Sequence, residues 1–192
     1  RVTLHRLRQQ IDPYMLITRQ KLVLNPAAVV DLDARQFERH LVVGEFAAAV
    51  ALYRGDFLAG FYLDGSPAFE HWALLERERL RTLAIAAYQQ LVDRAATAGQ
   101  LDAATAYAQR LLQLDSLHEP THRQLMRLLA QAGQRSAALA QYEICRTLLA
   151  AELGVAPDET TAALYQQIQL SKVIVRQEPA PHSQAAPLTD FI

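Results

Sequence analysis

Apolar positions along this chain fall into runs of helical spacing separated by short turns. Leu80, Leu83, Ala84, Ala87, Tyr88, Leu91 and Ala95 recur every three or four residues, which predicts a helix of nearly thirty residues from about Pro67. The same reasoning predicts helices at about Leu101–Gln113, Pro120–Gln131, Gln134–Glu152 and Asp158–Leu170, with Leu153-Gly154-Val155-Ala156-Pro157 as the turn between the last two. Nearer the start, Asp33 is placed to cap a helix running to about Val43, which Gly44 ends, and Glu45–Tyr53 forms its partner. Only Tyr14–Thr18 and Lys21–Leu24 are β-prone runs, and Arg19-Gln20 between them reads as the turn of a small hairpin. Ahead of the hairpin, Val2, Leu4, Leu7 and Ile11 lie near helical spacing with Arg1, Arg6 and Arg8 between them. They read as the end of a basic helix that Asp12-Pro13 stops.

The helical part is written in repeats. Adding 34 to Leu91, Ala98, Gly99, Gln100, Ala103, Ala104, Ala106 and Leu114 lands on the same residue type at Leu125, Ala132, Gly133, Gln134, Ala137, Ala138, Ala140 and Leu148. That interval is the tetratricopeptide (TPR) period. Glycine in the turn lets the chain reverse, and alanine five positions later lets the second helix lie close against the first. Gly99 with Ala104, Gly133 with Ala138, and Gly44 with Ala49 supply this pair three times, so at least three helical hairpins are expected. The fold class that follows is all-α, a TPR-like α–α superhelix.

Composition changes this picture in one respect. The formal net charge is −1 over 192 residues, yet Arg1–Leu24 holds Arg1, Arg6, Arg8, Arg19 and Lys21 against Asp12 alone, a net +4 that leaves −5 for the rest. A basic head on a mildly acidic body suits contact with a polyanion by the head only. Cys145 is the single cysteine, so there is no disulfide framework and a reducing cytoplasm is expected. No signal-peptide pattern opens this sequence and no apolar run is long enough for a membrane span, so no membrane partner is expected. The chain opens without methionine and inside an amphipathic pattern, and is expected to be a piece of a longer protein.

Several strings carry a family resemblance. Leu4-His5-Arg6-Leu7-Arg8, Leu16-Ile17-Thr18 and Lys21-Leu22-Val23-Leu24 leading to Val30-Asp31 resemble the end of an OmpR-type winged-helix domain, in the version found in SARP-type regulators. Leu52-Tyr53-Arg54-Gly55-Asp56-Phe57-Leu58-Ala59-Gly60-Phe61, Trp72, Arg77-Glu78-Arg79-Leu80, the Leu153–Pro157 turn and Leu164-Tyr165 resemble the bacterial transcriptional activator domain that follows it. The resemblance implies three parts: 1–31 as the back of a winged helix (helix plus β-hairpin), 32–172 as the TPR-like activator domain, and 173–192 as a linker. It puts Arg1, Thr3, Arg6 and Arg8 on the recognition helix and Arg19 with Lys21 on the wing that touches phosphates. The partners it implies are DNA through the complete winged helix, and RNA polymerase, another protein or a second copy through the helical repeats. The closing Pro187-Leu188-Thr189-Asp190-Phe191-Ile192 resembles the entry to a STAND-type ATPase module, while no GxxxxGK[ST] loop occurs in this chain.

Other readings stand beside these. The basic head could be a solvated helix capping the next domain, and the whole could be a TPR peptide-binding scaffold unrelated to DNA. Phe57, Phe61 and Trp72 read as core plugs in a long connection, and Glu76–Arg81 as a solvated face. His118-Glu119-Pro120-Thr121-His122 matches HExxH, in which two histidines on one helical face hold zinc and the glutamate polarises water. Pro120 interrupts the helix that such a site needs and belongs instead to the first turn of a new one. His5, His40, His71 and His182 have no cysteine or paired carboxylates at ligand spacing, so neither metal, cofactor nor catalytic activity is expected.

Overall fold

The computed structural model describes residue 11, residues 14–18 and residues 21–175. It forms two compact units, Arg1–Ala87 and Tyr88–Ile192.

In the first unit, β1 (Met15–Ile17) and β2 (Leu22–Leu24) pair antiparallel with Met15 opposite Leu24 and Ile17 opposite Leu22. Thr18 closes the turn, because both its amide and its hydroxyl donate to the Lys21 carbonyl while its Oγ1 accepts from the Lys21 amide at 2.9 Å. Helix α1 (Asp33–Val42) and helix α2 (Phe46–Leu52) form a hairpin that buries Phe37, Ala49 and Val50. Asp33 was expected to cap α1, but the cap position is Leu32, which offers no side-chain acceptor. Asp33 is the first helical residue, where its charge favours the positive end of the helix dipole. Helix α3 (Pro67–Thr97) has 31 residues, and its Ala73, Leu80, Ala84 and Ala87 are buried in this unit.

The second unit contains the end of α3, α4 (Leu101–Leu114), α5 (Glu119–Gln131), α6 (Arg135–Leu153) and α7 (Glu159–Val175). Val92, Ala104, Ala108, Met126, Ala138 and Ile168 are among its buried core residues, and α7 packs on both α5 and α6. Alanine at 0 % exposure in two successive hairpins is what allows this close helix approach. Helix α7 continues to Val175, beyond Leu170 where the spacing ended it, and the Pro187–Ile192 phrase lies outside the described residues.

The repeat seen in the letters recurs in the hydrogen bonds. Gln100 N donates to Ala95 O while Gly99 N donates to Ala96 O, at 2.9 and 3.0 Å. One period later Gln134 N and Gly133 N donate to Leu129 O and Ala130 O at 2.8 and 3.1 Å, and Glu45 and Gly44 repeat the pair on His40 and Leu41. This is the six-to-one, five-to-two closure that puts the residue after the helix in left-handed geometry. Gly99 and Gly133 have φ of 71° and 75°, yet a Cβ on either would meet nothing within 4 Å. Their glycines serve the backbone angle, and the close approach falls to the alanines alone.

Candidate functional site

Of the six residues assigned to DNA contact, the structure positions Lys21. It is exposed at the hairpin turn, where its backbone is held by Thr18 as described. Arg1, Thr3, Arg6, Arg8 and Arg19 lie outside the described residues.

The connection between α2 and α3 is built around Arg77. Its Nε donates to the Phe57 carbonyl at 2.7 Å, and its Nη2 to the Leu58 and Phe61 carbonyls at 3.1 and 3.5 Å. A planar fork of fixed donors suits several carbonyls of one turn, which a lysine could not reach together. Leu58 is the one non-glycine among the described residues with positive φ, 51°, a conformation costing a leucine about 1–2 kcal/mol. The Arg77 bond to its carbonyl offsets that strain. Arg79 binds both Glu76 and Glu38, so the run read as a solvated face ties α3 to the connection and to α1.

Of the three aromatic residues expected as core plugs, Phe57 is half-buried, while Phe61 and Trp72 are not core plugs. Phe57 and Phe69 contact Trp72 at centroid distances of 5.7 and 5.5 Å, and Phe61 meets Phe69 edge-on at 5.7 Å. Phe61 and Trp72 nevertheless remain 49 and 48 % exposed, with Tyr62 at 71 % and Leu74 and Leu75 near them in sequence at 60 and 58 %. The connection has no helical period to show which faces point inward, so its aromatics looked like filling. The structure shows an outward-facing aromatic surface beside a connection whose backbone is fastened by a guanidinium.

The HExxH letters serve folding. His118 occupies the cap of α5: its Nδ1 lies 2.7 Å from Thr121 Oγ1 and accepts from the Thr121 amide, with Pro120 in the first turn. His122 is buried, with Nε2 2.9 Å from the Ser116 carbonyl and Nδ1 2.6 Å from Gln141 Nε2. Nε2 therefore carries the proton and donates, while Nδ1 accepts from the amide. Burial lowers the His122 pKa below its ordinary value, in the sense opposed by the Ser116 carbonyl. Glu119 accepts from the Asp158 amide at 2.7 Å, and Arg123 donates to Asp158 and Thr161, both at 2.8 Å. The five-residue string thus caps one helix and fastens the start of α7. Among the described residues, no three His, Cys, Asp or Glu side chains converge to hold a metal ion.

A family model described as the bacterial transcriptional activator domain matches residues 27–169. The chain belongs to this family. No curated protein matches the sequence. The matched span of the activator domain takes in α1 to α6 and most of α7, with the Arg77-pinned connection and the His118 cap inside it, and the β1–β2 hairpin before it. The family is one of regulatory transcription-activator domains, not a known enzyme family. Within this activator domain Cys145 is buried, and burial raises its thiol pKa to about 11, which keeps it protonated and unreactive. A cavity of about 220 Å³ lies along α4, α5 and α6, lined by Gln109, Gln113, Gln141, Leu125 and Ile144 among others. Among the described residues no helix is long and apolar enough to cross a membrane.

Proposed function

We propose that this chain is the regulatory and oligomerisation part of a bacterial, cytoplasmic DNA-binding transcriptional activator. Residues 1–31 supply the back of its winged helix, 32–172 the activator domain, and 173–192 a linker toward a STAND-type ATPase module. DNA is held by the complete winged helix, with Arg1, Thr3, Arg6 and Arg8 facing the groove and Arg19 and Lys21 on the backbone. The helical body contacts RNA polymerase, or a second copy of the chain, and so controls recruitment or DNA binding. The observation that carries this reading is the family match over 27–169, and the exposure of Phe61 and Trp72 supports a protein contact there. The rival reading, a peptide-binding TPR scaffold, has the 220 Å³ cavity in its favour but leaves the +4 head without a role.

The DNA half is tested by titrating this chain, and a longer one carrying a full winged helix, against a DNA library at physiological salt. Base-edge contacts give sequence preference while phosphate contacts only position, so the longer chain should select a site and this one should bind weakly and lose binding steeply with salt. In the longer chain, Arg6→Ala or Arg8→Ala should weaken the selected site, and Lys21→Ala should weaken all sequences about equally. Equal selection by both chains, or none by either, contradicts the assignment.

A further inference from the structure

A cleft of about 440 Å³ opens in the first unit between the start of α1, the end of α2 and the connection at 53–59. Its volume is in the range of about 300–1,000 Å³ typical of small-molecule sites. The floor is apolar and fixed, because Phe37 and Leu80 are 2 and 4 % exposed and line it together with Leu52 and Phe57. One wall is the Arg77-fastened turn that contains Leu58, so the cleft does not depend on a loose loop. Tyr53 stands against Phe37, ring centroids 6.0 Å apart, and donates its hydroxyl to Asp56 Oδ1 at 3.1 Å.

The charges lining the cleft are two carboxylates, Asp33 and Asp56, and one guanidinium, Arg54. The Ala34 amide donates to Asp33 Oδ1 and the Tyr53 hydroxyl to Asp56 Oδ1, which among the described residues leaves the second oxygen of each carboxylate open to a guest. Burial, and then Asp56, push the Tyr53 phenol up to about 12, so it stays a neutral donor and holds the carboxylate in place. An apolar and aromatic floor under a net negative rim selects a compact apolar body that carries a positive charge. We propose that this cleft binds a small amphipathic ammonium, its apolar body on Phe37, Leu52, Phe57 and Leu80 and its charged head on Asp56 and Asp33. Nothing in the role of an activator domain as a protein-contact module requires such a site. A guest there would touch α1, α2 and the connection at once, and so would hold in place the backbone that leads into Phe61.

The test uses 2-phenylethylammonium as the probe on the full chain, followed by calorimetric titration, with 3-phenylpropionate and 2-phenylethanol as the anionic and neutral analogues. The ammonium should bind at least about tenfold more tightly than either analogue, and Asp56→Asn should weaken it by about tenfold or more, the scale of a lost hydrogen bond to a charged group. Ala34→Leu, which fills the mouth from a helical position, should abolish binding, while Asp64→Asn outside the cleft should leave it unchanged. Far-UV circular dichroism of each variant separates a lost site from a lost fold. No binding of the ammonium, binding of the propionate as tightly or more so through Arg54, or an unchanged affinity in folded Asp56→Asn would each overturn the proposal.

Discussion

Arg77 reaches back twenty positions to donate its Nε proton to the Phe57 carbonyl at 2.7 Å. That bond, with those to Leu58 and Phe61, makes one side chain of α3 the fastening for the whole aromatic connection. Removing it takes the guanidinium donor from the part-buried Phe57 carbonyl, leaves the Leu58 carbonyl only the Phe61 amide, and takes from Leu58 the contact that offsets its positive φ. Arg77→Ala is expected to cost about 1–3 kcal/mol in urea unfolding. Arg77→Lys should recover only part of that, because an ammonium's donors radiate from one nitrogen and do not reproduce the planar spread of Nε and Nη2. Equal stability of Arg77→Ala and the parent chain would show that the turn holds itself.

The alanines make a second prediction. Ala104 and Ala138 are at 0 % exposure one period apart, so Ala104→Leu and Ala138→Leu should each overpack a hairpin and cost about 1–3 kcal/mol. Gly133→Ala has room for its methyl group, so its penalty should be confined to the left-handed backbone angle, about 1 kcal/mol. Chemical denaturation of the three variants separates the roles. An unchanged midpoint for both leucine variants would refute the packing assignment.

His122 makes stability depend on pH. Its folded pKa lies below the ordinary value of 6.5, so as pH falls through that value the unfolded chain takes up a proton that the folded chain refuses. Stability is therefore fully present above about 6.5 and declines below it. The denaturation midpoint should drop between about pH 7.5 and 5.5, and His122→Gln, whatever its starting stability, should show a shallower slope over that window. A parallel profile for the variant would place the pH dependence elsewhere.

How far the sequence led can be read residue by residue. The hairpins were legible because Gly99/Ala104 and Gly133/Ala138 repeat local requirements, a left-handed residue and a small one, at a fixed interval. The HExxH string was legible for the same reason, since the period put Pro120 in a first turn. Arg77 was not legible, because its partners are backbone carbonyls with no side-chain signature, sixteen to twenty positions away. Nor was the exposure of Phe61, which sits in a connection where no periodicity assigns a face, or of Trp72, which lies in the first turns of α3 ahead of the apolar stripe that begins at Leu80. For the DNA residues the sequence went further than the structure, which positions Lys21 and leaves the other five outside the described residues.

Tethered transcription tests the central claim most directly. The chain is fused to an unrelated DNA-binding domain whose operator lies upstream of a weak promoter, and transcript is measured with purified bacterial RNA polymerase. An activator domain that works through the aromatic surface should raise transcript several-fold, and Phe61→Ser with Trp72→Ala should remove that rise while the helical circular dichroism persists. No rise with the parent chain, or an undiminished rise with the double variant, would contradict the account.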